Sequence, residues 1–373
     1  MPATRKPGWL LQWLAAAPLP LLAQPLDVFD HPPEAYLGAD ACGACHAEQF
    51  AAQSASGHAL SLAPVSQHPL ASSFVPVASL VRTGGAEYSY RSDRDGLHVE
   101  VEVHGERREL QLEWAFGAGD QAVTFVGHPD EERYVEHHFS YYSATDSLAT
   151  TPGHRDTPPH GVEDALGVYY QTFGPEPAIM RCFQCHSTGP LALGDGFSLQ
   201  PRELGIRCEA CHGPGSRHVE AITSGNLERG RAAVGNPGRL EGSGLLEFCG
   251  ACHRPPESSG TVIDWSDPWN VRHQPVYLSR SACIEPGGQA LTCIRCHAPP
   301  QPLSREAARD DGRCLDCHTV RSPPAATCRE TPEQACSSCH MPAVAPQDNL
   351  RFTNHWIGIY NGDRPLRPRE SGQ

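Results

Sequence analysis

Seven times the chain repeats Cys-x-x-Cys-His: Cys42-Cys45-His46, Cys182-Cys185-His186, Cys208-Cys211-His212, Cys249-Cys252-His253, Cys293-Cys296-His297, Cys314-Cys317-His318 and Cys336-Cys339-His340. These frames take fourteen of the sixteen cysteines and leave only Cys283 and Cys328. Cys-x-x-Cys alone serves as half of a zinc site, a redox dithiol or a disulfide pair. A histidine directly after the second cysteine points instead to covalent haem. The two thiols add across the vinyl groups, and the imidazole is placed to bind iron from the proximal side. Zinc ribbons pair knuckles about 15 to 20 residues apart, and some spacings here come near that, but zinc knuckles do not need the histidine. With 20 histidines in 373 residues, seven such coincidences do not arise by chance. The cofactor expected is therefore seven covalently attached c-type haems.

The frames raise a folding problem. Those at 293 and 314 lie 21 residues apart across a polar, turn-rich segment without a hydrophobic run, and six frames fall within the 159 residues from 182 to 340. Helical periodicity there is brief and strands are not evident. A haem is a large, mostly apolar plate, so attached haems would stand in for the core that the polypeptide lacks. Close packing would also let them exchange electrons.

The elements that must position the frames divide the chain into parts. Residues 1–23 read as a signal peptide, with Arg5 and Lys6, an apolar stretch from Gly8 to Ala17 and small residues after it; cleavage after Ala17 or Ala23 fits. A retained anchor is the alternative. No cysteine precedes Cys42, and no other segment has 18 consecutive apolar residues, so the mature chain is expected to be soluble, without a membrane span, and exported, most simply to the periplasm. Residues 24–73 hold the first frame, with Asp40 as a cap for a helix from Ala41 to Gln53. Residues 74–145 alternate apolar and polar positions: Leu97, Val99, Val101 and Val103, then Leu110, Leu112 and Trp114, then Val123 and Phe125, then Val135, His137, Phe139 and Tyr141. With hairpin signals at Asp95-Gly96 and His-Gly-Glu, they predict about five antiparallel strands. Residues 146–373 form the six-haem part. Gly and Pro, 35 each, make the chain loop-rich without reaching the range of disorder.

The net charge is −14, and haem carboxylates would add to it. So acidic a chain is not expected to bind nucleic acid or anionic lipid; redox partners with positive docking patches suit it.

The pieces YLGADACGACHAEQF with GHALSL, WAFGAGDQAVTFV, SYYSATDSLATTPGH, CFQCHSTGP, CEACHGPGSRHV, CGACHRP, SACIEPGGQALTCIRCHAPP, CSSCHMP and FTNHWIGIY resemble the multihaem c-type cytochromes that include the tetrahaem electron carrier of ammonia oxidation. The wider superfamily contains pentahaem nitrite reductase and octahaem hydroxylamine oxidoreductase. The resemblance runs through most of residues 36 to 360. It implies a multihaem cytochrome c fold: mostly short helices and loops wrapped around seven haems, here with a small antiparallel β-sheet insertion. It also implies distal iron ligands at His58, His218 and His355. His273, His154, His137 and His138 stay open as ligands or packing residues, whereas His98 and His104 read as surface residues. Met180 and Met341 could ligate, but Met341 abuts its own frame too closely to reach that iron. Tyr141 and Tyr142 fit the strand pattern and read as packing.

Two functions follow. An electron-transfer protein would have every iron six-coordinate, mostly bis-histidine and hence of low potential. An oxidoreductase would leave one iron open to a small nitrogen or sulfur compound; no frame replaces its histidine with lysine, as the best-known nitrite reductase pattern does. A subunit of a larger haem assembly is a third possibility. Electron transfer is the favoured reading. The two spare cysteines, Cys283 and Cys328, are expected to form a disulfide, since an exported protein exposes free thiols to oxidation. Intact mass of the denatured, non-reduced protein after alkylation tests both points. Seven covalent haems and no alkylated cysteine are expected; five or fewer haems, or stoichiometric zinc, would overturn the haem reading, and two alkylated thiols would overturn the bridge.

Overall fold

The computed structural model describes residues 32–75, 80–94, 96–172, 179–256, 262–281, 283–284, 291–304, 307–316, 318, 336–362 and 364–369. The expected signal segment 1–23, Asp95, Cys317 and Cys328 lie outside the described residues.

The first frame sits on a broken helix. α1 (Ala39–Gly43) ends before Cys45, and α2 (Ala47–Ser54) starts after His46, whose φ of −114° and ψ of 49° leave the helical region. The continuous helix expected from Ala41 to Gln53 is therefore two. Asp40 is not its cap: the N-cap position belongs to Gly38, at φ 85°, and no N-cap side chain bonds there.

The next part is a sheet far larger than the five strands expected. β1 (Leu62–Pro64), β2 (Leu80–Thr83), β3 (Ala86–Asp93), β4 (Gly96–Val103), β5 (Glu106–Phe116), β6 (Ala122–Asp130), β7 (Arg133–Tyr142), β8 (Ser147–Thr150) and, after α3 (Val162–Leu166), β9 (Gly167–Gln171) make one antiparallel sheet. Strands β2 to β7 follow in order. The two long strands change partners midway: β5 pairs β4 through Leu112 and then β1 from Trp114, while β7 pairs β9 through His137 and then β8 from Phe139. The extra strands escaped the sequence reading because β1 and β8 are three and four residues long and GVYYQ does not alternate. The β4–β5 turn is His104-Gly105, at φ 52° and 86°, the two left-handed residues that a tight hairpin needs.

The alternation builds the main core. Tyr88, Leu97, Val99, Val101, Leu112, Phe125 and Val135 are buried together under Val162, Ala165 and Leu166 of α3. His137 belongs to this core. Its Nδ1 donates to Leu166 O at 2.8 Å and its Nε2 meets Tyr90 Oη at 2.7 Å, and burial lowers its pKa to about 3.

The remaining elements are short: α4 (Met180–His186), β10 (Ser187–Leu193) paired with β11 (Leu199–Leu204), α5 (Cys208–His212), α6 (Ser216–Thr223), α7 (Leu227–Ala232), α8 (Gly242–His253), α9 (Gln274–Leu278), α10 (Cys293–Cys296), α11 (Ala307–Leu315), α12 (Cys336–His340) and β12 (Ala343–Gln347) paired with β13 (Leu350–Thr353). The short helices agree with expectation. The hairpin β10–β11 corrects the reading that strands are not evident among the frames, and the large sheet corrects the picture of a mostly helical molecule with a small insertion. Among the described residues no helix is long and apolar enough to cross a membrane.

A second core joins sheet to frames. Phe183, between the two cysteines of the frame at 182, is fully buried against Leu62, Phe116, Val126, Tyr134, Ile179 and Leu199. Its ring stands edge-on to Trp114, Phe116 and Tyr134 at 5.5, 5.1 and 6.1 Å. Phe183→Ala is expected to lower unfolding stability by about 3–5 kcal/mol, the usual cost of emptying an aromatic core site. Thiols and imidazole of the frame stay in place, so covalent haem content is expected to be unchanged. Denaturant unfolding and intact mass read the two quantities separately; wild-type stability would refute the anchoring role.

Candidate haem sites

Every frame begins on a short helix, and the spacing explains why. Residues at i, i+3 and i+4 share one helix face, so two thiols and the following imidazole can address the same object. The helical turn is closed by the histidine amide donating to the first cysteine's carbonyl, at 2.9 Å for His46 to Cys42, His297 to Cys293 and His318 to Cys314.

Buried carboxylates hold these helices in place. Glu209, inside the frame at 208 and 4% exposed, accepts from the amides of Leu37 (3.0 Å), Gly38 (2.8 Å) and Gly215 (2.7 Å). Glu203 accepts from Ala39 N at 2.8 Å, and burial raises its pKa. The open N-terminus of α1 is thus capped by two acids more than 160 residues away in sequence. Gln53 and Ser54 of α2 reinforce the dock, on Ile206 O at 2.6 Å and Arg207 Nη2 at 3.0 Å. Asp311 of α11 does the same for α12, accepting from Cys336 N (2.9 Å) and Ser337 N (2.8 Å). Sequence reasoning found none of these residues, since each cap comes from a different segment.

The thiols consequently meet across frames. Cys42 lies beside Cys208, Cys185 beside Cys252, Cys249 beside Cys293 and Cys314 beside Cys336, each pair close enough to perturb one another's ionisation. Cys211 bears on Cys249 and Cys252, and Cys296 on Cys314. All seven frames are thereby linked in one network that branches at the frame of 249, which meets those at 182, 208 and 293, and the frame at 42, remote in sequence, lies beside the frame at 208.

The three histidines suggested as distal ligands each face a frame histidine. His218 faces His46 with ring centroids 6.4 Å apart, His58 faces His253 at 6.1 Å, and His355 faces His297 at 6.2 Å. Their Nδ1 atoms point at carbonyl oxygens: Gly230 for His218 (2.8 Å), Thr353 for His355 (2.9 Å) and, more loosely, Pro299 for His58 (3.4 Å). Frame histidines His186, His212 and His340 do likewise on Ser61 (2.9 Å), Gly235 (2.8 Å) and Gly358 (2.8 Å). A carbonyl only accepts, so Nδ1 carries the hydrogen and Nε2 keeps its lone pair for a metal. Burial lowers the pKa of His186, of His253, where the neighbouring His58, His186 and His297 add to it, and of His355, to about 4. Neutral imidazole is the form that ligates. His186 and His355 are half-buried and His253 is exposed, so each ring keeps an open side. Two metal–nitrogen bonds of about 2.0–2.1 Å plus the two ring half-widths put facing centroids about 6 Å apart, so the donor sets fit an iron between them.

The other histidines are differently engaged. His68, not singled out by sequence, is buried with Nε2 on Gly117 O (2.9 Å) and Nδ1 accepting from Leu70 N (3.1 Å). His154 Nε2 meets Glu136 at 3.2 Å, and His138 packs on Tyr88 and Phe139. His104 is exposed in its turn; His98 is half-buried between Asp93 (3.3 Å) and Glu109 (3.2 Å). Met180 packs against the second core. Tyr141 and Tyr142 are buried in the sheet, with hydroxyls on Asp146 and Thr150 O, both at 2.6 Å.

Residues 171–213, which hold the frames at 182 and 208, match the family model described as cytochrome c554 and c-prime. Among solved structures the chain is similar to the outer cell wall cytochrome OcwA, at 14% identity and a TM-score of 0.50, over 87% of this chain and 79% of that one. No curated protein matches the chain. At that identity the likeness is one of fold, and the family match is confined to the stretch holding the frames at 182 and 208.

Proposed function

We propose that the protein is an exported heptahaem c-type cytochrome that carries electrons between redox partners along closely spaced haems. One observation carries the reading: three histidines from separate segments each face a frame imidazole at the spacing of two ligands across one iron. The fourteen frame cysteines would attach the haems, the seven frame histidines would be proximal ligands, and His58, His218 and His355 would be distal ligands at the frames of 249, 42 and 293. Bound haem would supply a one-electron centre at each frame. The polypeptide's part is to fix imidazole tautomers, fill axial positions and keep successive frames in contact. Filled axial positions favour electron transfer over substrate chemistry, because catalysis needs an open iron.

Kinship with the tetrahaem carrier of ammonia oxidation, the Cys283–Cys328 bridge, periplasmic location and positively charged partners are parts of the same proposal. The net charge of −14 supports the last.

Alanine at His58, His218 or His355 is expected to convert one low-spin haem to high-spin in each variant, with covalent haem content unchanged, read by EPR and optical spectra. Wild-type spectra would refute the assignment for that residue. The fully reduced wild type is expected to reoxidise reversibly, without sustained turnover of nitrite, hydroxylamine or sulfur oxyanions. Multiple turnovers at one high-spin haem would establish the oxidoreductase instead.

A further inference from the structure

Two guanidiniums and an imidazole converge where α8 ends and α9 begins. Arg254 directly follows the frame histidine His253 and stands at φ 66°, in the left-handed region where a non-glycine residue is held only by its surroundings. In that position its Nη1 lies 3.3 Å from Nδ1 of His273. A guanidinium only donates, so Nδ1 accepts and Nε2 of His273 carries the hydrogen. Burial, and then Arg254 and Arg272, lower the His273 pKa to about 4, which keeps this ring a neutral donor. Arg272 lies over the Trp269 ring at 5.7 Å, where burial and the repulsion of Arg254 work against its charge.

The nearby acids do not neutralise this cluster. Glu136 is taken by Tyr170 Oη (3.0 Å) and His154 Nε2 (3.2 Å), and Asp267 by Trp269 N (2.9 Å). Both act on Arg272 only through space. Among the described residues neither Arg254 nor Arg272 forms an ion pair. Arg254 is half-buried and Arg272 exposed; beyond the Arg254–His273 contact neither guanidinium has an acceptor among the described residues, and two like charges so placed attract an anion. Glu136 also bears on the Cys182 thiol, which places the cluster beside the frames at 182 and 249.

We propose that Arg254, Arg272 and His273 form a receptor for an anionic oxygen group. Its source is either a carboxylate of haem attached at one of these frames, in which case the proposal rests on the haem reading, or a small free oxyanion reaching the same donors.

The test compares the haem-loaded full chain with Arg254→Gln, Arg272→Gln and Arg272→Lys, after intact mass has fixed the haem content of each. A wild type without haem would defeat the haem reading alone, and calorimetric titration with nitrite would then decide the free-oxyanion arm. If a haem carboxylate is the ligand, one midpoint potential falls in both glutamine variants, because an unscreened carboxylate stabilises ferric iron. Nitrite then leaves the wild-type spectrum unchanged. If a free oxyanion is the ligand, nitrite shifts the wild-type spectrum saturably, and the glutamine variants bind it at least tenfold more weakly. Arg272→Lys keeps the charge but loses the planar fork. It is expected to show the same change in smaller measure, and it decides the matter if the glutamine variants do not fold. Variants equal to wild type in haem content, every midpoint and nitrite response would overturn the proposal.

Discussion

The arrangement of frames depends on a buried carboxylate satisfied entirely by backbone. Glu209 accepts three amide hydrogens, two from the segment before α1 and one from Gly215 beyond its own helix. A carboxylate removed from water is costly unless its oxygens are filled, and hydrogen bonds to a charged group contribute about 1.5–3 kcal/mol each. The same contacts cap a helix of only five residues, too short to persist alone. One side chain therefore both folds the first frame and fixes it beside the frame at 208. Asp311 repeats the device between α11 and α12. In a region poor in apolar side chains, these caps replace the face-to-face packing by which helices ordinarily find one another.

The two halves of the molecule solve the interior problem differently, and Phe183 is where they meet. The sheet has an ordinary core, built by alternation and closed by α3. Among the described residues the frame region has small cores, such as Ile263, Val271, Val276, Tyr277 and Val344. Phe183 occupies a position that the motif leaves free, between two cysteines whose roles are fixed, and it faces the sheet rather than the frame's own ligand side. The bulge at Glu113, between Leu112 and Trp114, turns the end of β5 so that Trp114 and Phe116 can pack on it.

What could be read from the sequence follows the range of the interaction. Cys-x-x-Cys-His is legible because its members lie on one helical turn, and Leu97 to Val103 because a strand's alternation is local. His58, His218 and His355 were reachable only through resemblance; nothing in the residues around them says which frame each faces. The pairings of His58 with His253 and of His355 with His297 cross long stretches of chain. The caps were invisible for the same reason. A glutamate inside a frame reads as a solvated side chain, and Asp40, the local candidate, is displaced by acids from β11 and α5. β1, β8 and β9 were missed because each is defined by the edge it completes rather than by its own pattern.

Orientation of the imidazoles shows how far the backbone governs the chemistry. In three frame histidines and the three that face frames Nδ1 is turned toward a carbonyl, and four of those carbonyls belong to Ser61, Gly230, Gly235 and Gly358, far from the histidine's own turn. Such a bond selects the tautomer that leaves Nε2 free and fixes the ring plane. At His186 and His355 it is burial that holds the ring neutral; the carbonyl taken alone would raise the pKa, and burial outweighs it. Tautomer and ring orientation are thus set by where loops run, so the glycine-rich connections between frames position the imidazoles as much as the frames themselves do.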